Sequence, residues 1–167
     1  MNQRVRSIFS GLNATYDRHH WNLLLGGFAG FLLGNLTHGI APVIVGVLVA
    51  GLGMEESAAG LVVSAEFAGI ALTAIFVGPY VARLSKRRIA ILGCLVAIGA
   101  HLLSTLITQF EVLLIVRLVA GLGTGTALAA AGAAVATANK ADRMFAFIKT
   151  GAAACMAALV VAGGYSV

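Results

Sequence analysis

From Trp21 onward the chain reads as five apolar runs separated by short polar breaks, over Trp21–Val49, Ser57–Val81, Ile89–Thr108, Val112–Thr137 and Met144–Val167. Crossing the hydrocarbon core of a bilayer takes roughly 20 apolar residues in an α-helix, and every run reaches that length. The breaks are so short that consecutive helices must run antiparallel. The pattern predicts an all-α fold: a polytopic membrane bundle of about five transmembrane helices over residues 21–167, preceded by an N-terminal segment, residues 1–20. Hardly any chain remains for a soluble domain.

Within the runs, small and polar residues recur at helical spacing. Gly26, Gly30 and Gly34 are four apart and share one face of the first helix. Glycine weakens a helix by about 1 kcal/mol against alanine, so a row of three predicts a neighbouring backbone packed closely along that face. Asn35, His38 and Pro42 also share a face of this helix. Pro42 has no N–H to give the His38 carbonyl, which predicts a bend. Polar groups and a bend at membrane depth are tolerated where they meet protein or a water-filled cavity. In the fourth run Arg117, Gly121, Gly125 and Ala129 form another stripe, with Gly123 and Gly132 close by. One face of that helix is thus a cation followed by a smooth groove.

Composition strengthens the membrane reading, since 60% of residues are apolar and 10% charged, too few charges to cover a soluble domain. The net charge of +5 would point to nucleic acid in a soluble protein, but its distribution points elsewhere. Arg4, Arg6 and Arg18 precede the first run, Arg83, Lys86, Arg87 and Arg88 follow the second, and Lys140 and Arg143 follow the fourth. The breaks at Glu55–Glu56 and Gln109–Glu111 carry no basic residue. By the positive-inside rule the N-terminus is cytoplasmic, in the cell (inner) membrane, and the partner of these charges is the lipid bilayer rather than nucleic acid.

The apolar run after residue 20 is too long for a cleaved signal, and the sequon at Asn13 falls on the cytoplasmic side. Cys94 and Cys155 read as small buried apolar residues. His19 and His20 adjoin at the membrane edge and His38 and His101 stand alone, without the spacing of metal ligands. No metal, cofactor or enzymatic constellation is expected.

The candidate chemistry lies in charges inside the runs. Placing an arginine at membrane depth costs at least ~2.5–3.5 kcal/mol, so Arg117 should point inward and have a partner. Glu66 is the carboxylate well inside the second run. It lies roughly 13 Å from the end of its helix and Arg117 roughly 10 Å from the corresponding end of its own, at the rise of an α-helix. The expectation is a direct or water-mediated pair, with Asn35, His38, Glu66 and Arg117 lining a cavity for substrate or proton coupling. Lys149 is read as extending its stem to the headgroups, and His101 as a helix-contact residue.

The pattern resembles the N-terminal half of a major facilitator superfamily transporter. In "GPYVARLSKRRIAILG", Gly78, Arg83, Arg87 and Arg88 are in register with that family's cytoplasmic loop signature; its acidic position is Ala82 here and its second glycine Ser85. Asp142 on the next cytoplasmic loop is the carboxylate available to bridge to this basic cluster. "RLVAGLGTG", Arg117 to Gly125, is similar to the family's fourth-helix signature, and "VVAGGYS" has Gly163 and Gly164 where drug–proton antiporters carry glycine–proline.

The resemblance implies secondary transport of a small-molecule substrate, with Arg117 part of the coupling as in proton-coupled members, and twelve helices in two halves. The present chain would then be an incomplete N-terminal half, without the sixth helix and the C-terminal half. The alternative is a small five-helix structural or assembly protein whose glycine faces dock on a partner.

Overall fold

The computed structural model describes residues 18–81, 83–138 and 140–164. Most of the N-terminal segment, Ala82 and the end of the last expected run lie outside the described residues, as do the side chains of His19 and His20 and the surroundings of Gly163 and Gly164. Among the described residues there are five long helices, α1 Arg18–Leu52, α2 Glu56–Phe76, α3 Lys86–Ser104, α4 Phe110–Val135 and α5 Ala141–Gly164, and a helical turn at Gly78–Val81. Four of the five are long and apolar enough to span a membrane: Leu23–Leu52 within α1, and α2, α3 and α4 in full. The fifth expected span corresponds to α5, which carries Asp142, Arg143 and Lys149 in its first half.

Helix α1 has 35 residues and is about 52 Å long at 1.5 Å per residue, well beyond a hydrocarbon core of about 30 Å. It continues unbroken through Pro42. Its end is set by Gly53, whose φ of 64° is a left-handed conformation that a residue with a Cβ adopts only with strain. The Met54 N–H then reaches back to the Leu48 carbonyl at 3.3 Å, and the chain turns into α2. Helix α2 stops at Phe76 rather than continuing to Val81. Pro79 cannot donate to the ladder, so the chain resumes as a separate turn in which the Val81 N–H bonds the Val77 carbonyl at 3.1 Å.

Helix α4 is the hub. It buries Leu113 against α1 and α2 through Leu48, Ala59 and Val62. Val116 and Ala120 pack on Ala100 of α3, and Ala131 and Val135 pack with Phe31 of α1 and Met144 and Ile148 of α5. Lipid is as apolar as leucine, so helices in a membrane associate through close van der Waals contact, and small residues permit it. A Cβ added to Gly123 would stand 2.6 Å from the Ala97 amide nitrogen of α3, and one added to Gly125 would stand 2.8 Å from Thr73 Cβ of α2. Gly34 of α1 is as tight, 2.9 Å from Leu128 Cδ1, and Gly30 meets Ala131.

Gly26, which the four-residue spacing assigns to the same packed row, instead faces open space. The close approach at that level is made by Gly27, where an added Cβ would lie 2.7 Å from both Val135 and Ile148. The difference is one of rotation: α4 and α5 meet α1 one residue further round. Cys155 faces outward instead of into the core, while Cys94 is half-buried. Leu25, Val47, Ile75, Leu95, Leu102 and Phe147 are among the large exposed apolar side chains, as a surface against lipid requires.

Candidate functional site: a carboxylate held by three helices

Glu66 of α2 is fully buried, and three other helices converge on its carboxylate. From α4, Arg117 Nη1 donates to Oε2 at 3.0 Å. From α1, the Thr37 hydroxyl donates to Oε1 in a short hydrogen bond. From α3, His101 Nε2 lies 3.5 Å from the same Oε1. Arg117 therefore points into the bundle, with its side chain only 12% exposed.

The stripe that follows Arg117 explains how the partners meet. Gly121, one turn on, lies directly against the backbone carbonyl of Glu66, and Gly69, one turn beyond Glu66, lies against α4 with an added Cβ 2.8 Å from the Leu122 nitrogen. The two backbones touch here, which brings a carboxylate within reach of a guanidinium on the neighbouring helix. His101 is three residues before the end of α3. Helical side chains lean toward their own N-terminus, so its ring is carried inward from that end toward Glu66. With 29% of its side chain exposed, it is the most open member of the cluster.

The ion pair is single-pronged. Arg117 Nε is buried and has no acceptor among the described residues, whereas a bidentate arginine would use two parallel N–H groups. Thr37 contributes a charge-assisted bond of the kind worth roughly 1.5–3 kcal/mol in water-soluble proteins and less in membranes. Thr37→Val keeps the shape and removes the hydroxyl. We expect it to lower stability by about 1–2 kcal/mol in detergent-induced unfolding; unchanged unfolding would mean that the hydroxyl does not bear on Glu66.

Asn35 and His38 are not part of this cluster. Thr37 faces inward, while Asn35 and His38 lie on the exposed side of α1. Asn35 Nδ2 donates to the Phe31 carbonyl at 2.7 Å, and the His38 ring stacks on Phe67 at a centroid distance of 4.5 Å. Together with Lys149 and Met156 they line a cavity of about 510 Å³ between α1 and α5. The single cavity expected to hold Asn35, His38, Glu66 and Arg117 is thus two features, a largely buried charge cluster and an open polar pocket. Lys149 belongs to the second.

Residues 23–167 match the family described as Major Facilitator Superfamily. The chain belongs to that superfamily. No curated protein and no solved structure matches it. Superfamily members are transporters, not enzymes, and with its apolar helices the chain is a multi-pass membrane protein of the transporter kind.

The superfamily's loop signature lies apart from both features. Gly78 has open space around it, and Arg83, Arg87 and Arg88 are exposed. Among the described residues the ion pairs are those of Glu66 with Arg117 and His101; none joins Asp142 to Arg83, Lys86, Arg87 or Arg88. The bridge expected there is not formed among the described residues; Asp142 lies in the first turn of α5, where a carboxylate complements the helix dipole. A larger cavity of about 920 Å³ runs between α1, α3 and α4, with Gly26 and Cys94 in its wall and Lys86 and Arg87 among its lining residues.

Proposed function

We propose that the chain is part of a secondary transporter that carries a small solute across the inner membrane, with its N-terminus cytoplasmic, and that transport is coupled to protons through Glu66. The observation that carries this reading is the fully buried Glu66 carboxylate held by Arg117, Thr37 and His101. Ionisable groups at membrane depth are expensive and mark ion and substrate pathways. Protonation of Glu66 removes the charge that holds Arg117, and the single-pronged link separates without breaking a second parallel bond. The equilibrium between two arrangements of the helices then depends on one proton.

His101 is the route to that proton, because it reaches Glu66 from the end of α3 and is the most open of the four. Transport further requires a second helical bundle against which this one rocks, as transporters with internal repeats have; the C-terminal half of the superfamily pattern is that partner.

The test uses the full-length protein and uptake of a panel of organic anions and amphiphiles at two external pH values. Uptake should differ between the two in the wild type, and Glu66→Gln should make it slow and indifferent to pH. Equal wild-type uptake at both values would end the proton-coupled reading.

A further inference from the structure

Of the ionisable side chains well inside the helices, Glu66 and Arg117 neutralise each other. Lys149, eight residues into α5, has no carboxylate partner among the described residues. Its side chain is exposed at the open cavity between α1 and α5, and an ammonium facing such a cavity in a membrane protein is met by a counter-charge or by water. The side chain lies on the wall of the cavity between α1 and α5, whose other polar groups are Asn35 and His38. Asn35 spends one N–H on Phe31 and keeps its second N–H and its oxygen free, and His38 is held by stacking on Phe67. The rest of the wall is apolar, with Met156, Ala152 and Ala153, and the Met156 side chain lies against Gly39. A volume of about 510 Å³ falls in the range of sites for small organic ligands.

We propose that this cavity binds an organic monoanion through Lys149, with Asn35 and His38 as further polar contacts and the apolar wall taking the body of the ligand. The inference rests on the transport reading and gives its substrate class: a carboxylate with a hydrophobic part. One cation balances one negative charge, whereas a phosphate monoester carries about −1.5 to −2 at neutral pH and would bring an uncompensated charge into the bundle. Arg117 does not serve the anion in this arrangement, because Glu66 already occupies it. The same chemistry is presented by a soluble carboxylate and by the headgroup of an anionic lipid; the open polar wall beside the apolar one fits the former.

Binding is measured directly, with the full-length protein in phosphatidylcholine nanodiscs, labelled benzoate and octanoate as probes, and benzylammonium as a cationic competitor of matching shape. Saturable binding of either carboxylate is expected, with little competition by benzylammonium. Lys149→Gln should weaken it by about tenfold or more, as loss of a charged hydrogen bond does, and Lys149→Arg should preserve most of it. Saturable binding of neither probe, competition by benzylammonium equal to that by unlabelled probe, or unchanged affinity in Lys149→Gln would each overturn the assignment. Nanodiscs containing phosphatidylglycerol separate the two sources: unchanged binding supports a soluble anion, and its loss assigns the site to lipid and overturns the proposal. No transport step enters the measurement, so failure here leaves the pH test at Glu66 standing, and failure of that test leaves this one to be read by itself.

Discussion

Glu66→Ala with Arg117 left in place is expected to destabilise the bundle by about 3–5 kcal/mol, the cost of stranding a buried charge without its partner. Glu66 is fully buried and the Arg117 side chain is 12% exposed, so water does little to soften the loss. Removing the carboxylate also strands the Thr37 hydroxyl and the His101 ring, which share its Oε1. Replacing both members of the pair with apolar residues of similar volume should recover much of that stability, because a buried ion pair against a hydrophobic substitute is close to neutral. Exchange of the charges, Glu66→Arg with Arg117→Glu, should rescue only in part: a guanidinium at position 66 can meet the carboxylate at 117, but Thr37 then faces a donor where it had an acceptor. Detergent-induced unfolding of these three variants beside the wild type reads the coupling. If Glu66→Ala unfolds like the wild type, the pair contributes nothing to the bundle, and its assignment as the switching element loses its basis.

The number of helices and the pairing of Glu66 with Arg117 are legible in the chain because both depend on distance along an axis. A run of apolar residues fixes the length of a helix, and counting from its end fixes the depth of a charge to within a turn. Rotation about the axis is harder to read. Gly26 and Gly27 differ by about 100°, and spacing alone favoured Gly26, while the positions of Val135 and Ile148 decided for Gly27.

The same blindness merged two features into one. Asn35, Thr37 and His38 lie within four residues of sequence, yet the inward-facing Thr37 joins Glu66 and the other two face the pocket with Lys149. The polar stretch Asn35–His38 was the available signal for Thr37. His101 offered none by spacing, since its link to Glu66 depends on α3 packing against α4 close to where α2 does. Local chemistry also shortened α2: the Gly78–Pro79 step interrupts a run that hydropathy alone carries on to Val81.

Gly121→Val is expected to be as damaging as loss of Glu66, and for a different reason. At this position α4 lies directly against the backbone carbonyl of Glu66, so the new side chain meets main chain, which cannot swing aside as the tip of a flexible residue can. Overpacking a rigid contact costs about 1–3 kcal/mol or more, and here the separation it forces also lengthens the Arg117–Glu66 bond of 3.0 Å, so the two losses compound to about 3–5 kcal/mol. Gly34, whose added Cβ would lie 2.9 Å from Leu128 Cδ1, should tolerate alanine better, because its nearest neighbours are the tip atoms of a flexible side chain.

Gly26→Ala and Gly132→Ala are the controls, since an added methyl at either meets nothing within 4 Å; each should be neutral or gain up to about 1 kcal/mol from helix propensity. Unfolding midpoints across the four variants distinguish close contact from mere glycine content. If Gly121→Val and Gly26→Ala behave alike, the helices do not touch at Gly121, and a guanidinium at membrane depth is left without the neighbour that brings it a carboxylate.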